Sequence, residues 1–176
     1  MGRDKALIEV DGVALARRVA DALVAGGCDE VLAVGGDAGA LGALGLIPVA
    51  DRWAGDGPLG GLATALAEAS ARGGDLLVLA PCDLLHPSSD AVGALLGAVS
   101  GSEEADAAAG EVDGRVEWIL SAWRPTSALV AAVSALVESG ERRLDSVAAV
   151  ARRVPCPGID GRHLRDADRP SDLTGG

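Results

Sequence analysis

The apolar positions of this chain change period along its length, and each change marks an element. From Val13 to Ala25, Leu15, Val19, Ala22 and Leu23 recur at helical spacing, with Arg17, Arg18, Asp21 and Ala25 on the opposite face. That pattern predicts an amphipathic helix, which Gly26-Gly27 stops. "EVLAV" follows, a short continuous apolar run bounded by Gly35-Gly36, and predicts a strand buried on both faces; "LIPVAD" repeats it weakly. A helix is predicted from about Leu59 to Ala71, ended by Gly73-Gly74. "DLLVLAPCD" then reads as a strand, expected to be central. Ser88, Ser89 and Asp90 offer N-cap chemistry for "AVGALLGAV". Asp113-Gly114 in "EVDGR" signals a hairpin leading into "VEWILSAW". Helices at about Pro125 to Glu138 and Leu144 to Ala151 precede "VPCP" and a polar tail.

Strands alternating with helices at this spacing predict an α/β fold: a doubly wound, mostly parallel sheet with helices on both faces. The 176 residues show no internal repeat and no long linker, so one domain is expected over 1–176. A chain of this size buries roughly 70% of the surface its unfolded form exposes. With no Phe or Tyr, and only Trp53, Trp118 and Trp123, its core has to be built from small aliphatic side chains.

The net charge of −11 repels polyanions, and no local basic patch offsets it, which argues against a nucleic-acid partner. The pairs Arg17-Arg18, Arg142-Arg143 and Arg152-Arg153 read as solvated helix faces. Cys28, Cys82 and Cys156 are odd in number and far apart, against a disulfide framework or a zinc site and in favour of the reducing cytoplasm. No run is long enough for a membrane span, and no export signal is visible, so no membrane partner is expected.

In open α/β sheets ligands bind beyond the carboxyl ends of strands, so polar residues just after apolar runs carry the most information. Asp83 ends "LLVLAPCD", where an unpaired carboxylate is expensive to bury; it reads either as a metal ligand or as an acceptor for loop amides. Asp51, closing "LIPVAD", presents the same choice more weakly. In "GDGPLGGLATAL", Gly55, Gly57, Gly60 and Gly61 surround a helix start, where backbone N–H groups can approach a ligand or merely satisfy turn geometry. Lys5 reads either as a solvated surface charge or, because it stands in the opening "MGRDKALIEVDG", as part of the one candidate phosphate loop. His86 and His163 have no nucleophile arranged near them in sequence and receive no role. Hydrolase, P-loop and dinucleotide motifs are absent.

Taken together, "MGRDKALIEVDG", "VADRWAGDGPLGG", "APCD", "SGERRL" and the closing "RDADRPSDL" resemble the molybdenum cofactor guanylyltransferases, nucleotidyltransferases with a nucleotide-diphospho-sugar transferase-like fold. The resemblance spans essentially the whole chain. It implies that Lys5 contacts the triphosphate of GTP, that Asp51 with Gly57, Pro58, Leu59, Gly60 and Gly61 holds the guanosine, and that Asp83 binds Mg²⁺. The implied reaction joins GMP to the phosphate of the molybdopterin cofactor and releases pyrophosphate, with transient contact with other molybdenum cofactor enzymes. Asp166 and Asp168 stand where the family often has asparagines. The family's first strand and its Leu-Ala-Gly-Gly turn have no counterpart here, so the first strand of the sheet is expected to be missing and the chain to start inside its signature loop. Two alternatives stay open: cytidylyl or other nucleotidyl transfer to a different phosphorylated acceptor, and a truncated nucleotide-binding remnant without turnover.

Overall fold

The computed structural model describes residues 4–157 and 159–164. A 3-10 turn, Lys5–Leu7, comes first, and the Asp4 carboxylate caps it by accepting from the Ala6 N–H at 3.1 Å. Strands β1 (Glu9–Val10) and β2 (Val13–Ala14) pair antiparallel around Asp11-Gly12, whose φ values are 55° and 77°. Positive φ at both central residues is the type I′ turn, whose twist matches that of the strands it joins. The tetrapeptide Glu-Val-Asp-Gly recurs at 111–114, and there too Asp113 (52°) and Gly114 (75°) close a hairpin. Only the second of these hairpins is expected from the sequence pattern.

The chain continues through α1 (Leu15–Ala25), β3 (Leu32–Val34), α2 (Ala38–Ala43), β4 (Ile47–Val49), α3 (Gly57–Ala71), β5 (Leu77–Leu79) and α4 (Ser89–Ser100). Then come β6 (Ala107–Val112), β7 (Arg115–Trp123), α5 (Ser127–Glu138), a 3-10 segment at Leu144–Ala149 and β8 (Arg153–Cys156). Of the three N-cap candidates before α4, Ser88 does the capping, its Oγ accepting from the Ala91 N–H. Helix α2 is not among the expected elements; Asp37 starts it by accepting from the Ala40 N–H at 2.9 Å. Gly26, the expected helix stop, also sets a close crossing. A Cβ there would lie 2.5 Å from Val92 Cβ, so α1 meets α4 at that point without a side chain between them.

The architecture is α/β with helices on both faces, and the sheet is mixed. Strands β3 and β4 pair parallel, while the order β5-β7-β6-β8 combines antiparallel β5·β7 and β6·β7 with parallel β6·β8. Alternation along β6 shows the layering. Ala107 and Ala109 join Trp118, Trp123 and the buried faces of α3 and α5, whereas Ala108 joins Leu95 and Val99 of α4 on the other side.

Several expectations are corrected. Strand β5 is not central in pairing, because β7 returns antiparallel and takes its one bonded edge. Strand β3 is half-buried rather than buried on both faces, and β5 is half-buried too, because between them lies a cavity of about 1100 Å³ that both line. The segment predicted as a helix at Leu144 to Ala151 is 3-10, and its buried residues Leu144 and Val147 stand three apart, which suits a period of three. Only Arg17-Arg18 lies on a helix. Arg142 follows α5 and pairs with Asp56 at 2.9 Å; Arg152 precedes β8 and pairs with Asp106 at 2.9 Å, and its guanidinium holds that carboxyl below the ordinary value of 3.8. The described cysteines are free thiols. No helix among the described residues is long and apolar enough to cross a membrane.

Candidate active site

The residues singled out in the sequence meet at the carboxyl ends of β3, β4 and β5. Asp83 leaves β5 through Ala80-Pro81-Cys82, and its Oδ2 lies 3.4 Å from Lys5 Nζ, with the two side chains 14% and 34% exposed. These groups are 78 positions apart in sequence, and the Asp4-capped turn is what presents Lys5 to Asp83. Cys82 lines the mouth of the cavity beside them. Burial, then the carboxylates of Asp83 and Asp4, push its thiol up to about 11. As a residue Cys82 is exposed, which weighs against the burial contribution; the two carboxylates are the firmer cause. Either way it stays a neutral thiol at physiological pH and is a poor nucleophile.

Asp51 follows β4 and is held in place. Its Oδ1 accepts from the Trp53 N–H at 3.0 Å and from the Thr64 hydroxyl at 3.0 Å, while Thr64 Oγ1 accepts from the Arg52 N–H at 3.2 Å. Thr64 is fully buried on α3, so one hydroxyl ties the loop after β4 to the helix that follows it.

The turn from Gly57 to Gly61 is the first turn of α3, and its residues divide by what surrounds them. Gly57 has φ 69° and would press a Cβ within 3.2 Å of the Arg142 carbonyl; Gly60 would meet Trp53 at 3.0 Å. Both are explained by backbone geometry and packing. Leu59 is core. A Cβ at Gly61 would meet nothing within 4 Å, and Gly61 and Pro58 line the cavity, so this part of the turn faces open space beside the site.

Gly35 and Gly36, read from sequence only as a strand boundary, belong to the same place. Both have φ near 75°, and added Cβ atoms would lie 3.7 Å from Asp51 Cβ and 3.3 Å from Asp4 Oδ2 respectively. Their position directly after an apolar run is the signal that singled out Asp83, and it could have found them. Thr64 was legible as the lone hydroxyl in "GGLATALA". His86 and His163 line a second, open cleft with Arg18 and Arg162. Asp166 and Asp168 lie outside the described residues.

A profile of the MobA-like NTP transferase domain matches residues 1–154. The chain belongs to the MobA-like NTP transferases. As a member of that family it is a nucleotidyltransferase. Solved structures agree on the fold. Molybdopterin-guanine dinucleotide biosynthesis protein A from Archaeoglobus fulgidus superposes with a TM-score of 0.70 at 16% identity, over 98% of this chain and 88% of that one. 2-C-methyl-D-erythritol 4-phosphate cytidylyltransferase from Thermus thermophilus gives 0.66 at 17% identity, over 96% and 90%. A nucleotidyl transferase from Methanothermobacter thermautotroptrophicus gives 0.60 at 18%, over 96% and 77%. No curated protein matches the chain.

This MobA-like transferase shows no group of three or more His, Cys, Asp or Glu able to hold a metal among its described residues. Mg²⁺ is ordinarily bound through one or two carboxylates plus substrate phosphates. Asp83, a hard oxygen donor at the site mouth, fits such a role.

Proposed function

We propose that this transferase moves GMP from GTP to the phosphate of the molybdopterin cofactor, in the cytoplasm and with release of pyrophosphate. The observation that carries the reading is the Lys5–Asp83 pair at the strand ends, a cation and a hard carboxylate side by side beside an open helix N-terminal turn. In the reaction an acceptor phosphate oxygen forms a bond to the α-phosphorus of GTP as the bond to the bridging α–β oxygen breaks. Such a displacement depends on charge neutralisation and in-line alignment more than on a protein nucleophile, which agrees with the neutral Cys82 thiol. Lys5 binds and orients the triphosphate. Asp51, locked by Thr64, and the turn from Gly57 to Gly61 hold the guanosine. Asp83 would hold Mg²⁺, which when bound supplies neutralisation of the phosphate charge. The finished cofactor would then pass to other molybdenum enzymes through transient contact.

A second reading is cytidylyl transfer, favoured by the similarity of fold to the Thermus cytidylyltransferase. Pyrophosphate release with GTP, CTP and ATP, with molybdopterin as acceptor, separates the two. GTP is expected to lead in kcat/KM by at least about tenfold, the effect of one well-placed polar contact to the base. Equal or better use of CTP would overturn guanylyl transfer, and GTP binding without turnover would favour a nucleotide-binding remnant.

A further inference from the structure

Thr64 is one of two polar side chains that are buried among the described residues, and the other, Ser121, serves the tryptophan pair in the core. Its neighbours along α3 are apolar: Leu62, Ala63, Ala65 and Leu66 are buried with it. A hydroxyl in such a face is costly to desolvate unless it is bonded, and a valine would fill nearly the same space without that cost. Inside a helix, a threonine often satisfies its hydroxyl on a carbonyl three or four residues back. Here both bonds leave the helix instead. The one hydroxyl proton goes to Asp51 Oδ1 at 3.0 Å, and the oxygen accepts from the Arg52 N–H at 3.2 Å.

Gly60 stands one turn before Thr64 on the same side of α3, and there the Trp53 carbonyl comes so close that an added Cβ would lie 3.0 Å from it. The loop after β4 is thus laid against α3 at two successive turns, by close backbone approach at Gly60 and by hydrogen bonds at Thr64. This divides the two oxygens of Asp51. Oδ1 accepts from the Thr64 hydroxyl and from the Trp53 N–H at 3.0 Å, whereas Oδ2 takes no hydrogen bond or ion pair among the described residues. An ionised carboxylate is an acceptor only, so the oxygen left over suits a donor on a ligand, a ribose hydroxyl or a base N–H, and not a phosphate.

We infer, resting on the reading that Asp51 holds the nucleoside, that Thr64 is a positioning residue: by holding Oδ1 it sets where Asp51 Oδ2 stands and which way it faces. The test uses the full chain, titrated calorimetrically with GTP in the presence of Mg²⁺, beside kcat from pyrophosphate release and a thermal melt. Thr64→Val keeps the shape of the side chain and removes the hydroxyl. It is expected to weaken GTP binding about threefold to tenfold, the worth of one hydrogen bond, with little change in kcat. Thr64→Ser keeps the hydroxyl and loses a methyl group from a packed face, so it should bind GTP as the parent does while melting at a lower temperature. A threonine that only fastened the fold would instead let affinity follow the melting temperature. Asp51→Ala should weaken binding by itself, and adding Thr64→Val to it should weaken binding no further, because the effect of Thr64 passes through the carboxylate.

Equal affinity in the Val variant and the parent, equal impairment in Val and Ser, or a full further loss when Thr64→Val is added to Asp51→Ala would each overturn the positioning role. If the nucleoside role of Asp51 is what fails, Asp51→Ala binds GTP as tightly as the parent, and the role of Thr64 falls with it. A weakened Asp51→Ala beside a normal Thr64→Val condemns the positioning role alone.

Discussion

Asp83→Asn is expected to lower kcat/KM by about 10²- to 10³-fold while leaving the melting temperature within a few degrees of the parent. The substitution keeps the shape of the side chain and removes its charge. Two things follow at the site: Lys5 loses the carboxylate 3.4 Å from its ammonium, and the proposed Mg²⁺ loses the carboxylate assigned to it. Stability should change little, because a partly exposed ion pair contributes at most about 1 kcal/mol. The measurement is pyrophosphate release at saturating Mg²⁺ and GTP, beside a thermal melt. Near-normal turnover would leave the Lys5–Asp83 pair as a device for fastening the first turn to the end of β5 and would remove Asp83 from the chemistry.

The largest effect on stability is expected at Trp123. It is fully buried, and its ring stacks on Trp118 with centroids 5.4 Å apart. Its Nε1–H donates to Ser121 Oγ at 2.8 Å, and the Ser121 hydroxyl donates to the Trp118 carbonyl at 2.6 Å. Across the sheet it stands opposite Leu77 of β5 and Ala107 of β6, so one side chain joins both neighbours of β7 beneath α3 and α5. Trp123→Ala should cost about 3 to 5 kcal/mol, a large share of the roughly 5 to 15 kcal/mol that holds a typical domain together. Urea unfolding followed by circular dichroism measures it. Trp123→Phe should lose less, since it keeps most of the ring volume and orphans no donor. A loss under about 1 kcal/mol for the Ala variant would show that the tryptophan pair is not the hub of this core.

Much of the candidate site was legible because its residues obey a local rule. A polar residue directly after an apolar run picked out Asp51 and Asp83, and the same rule applied to Gly35-Gly36 would have added them. The pairing of Lys5 with Asp83 was not legible, since nothing in either neighbourhood refers to the other; it exists because the Asp4-capped turn lands at the end of β5. The division of the turn from Gly57 to Gly61 was hidden for the same reason. Arg142 and Trp53 account for Gly57 and Gly60, and neither contact can be read from a run of glycines.

The elements whose physics is local are written into the chain itself. Helix α1 follows from its apolar stripe, α4 from the Ser88 cap and both hairpins from Asp-Gly, because periodicity, capping and positive φ depend on residues within one or two turns. Partners were settled at the tertiary level alone. Strand β7 returns antiparallel between β5 and β6, which takes β5 from the centre of the pairing, and the far edges of β3 and β5 face a cavity. Strand order depends on which apolar faces and which backbone edges meet after long stretches of chain are closed, and the side-chain pattern of a single strand, alike for either neighbour, carries no record of that choice.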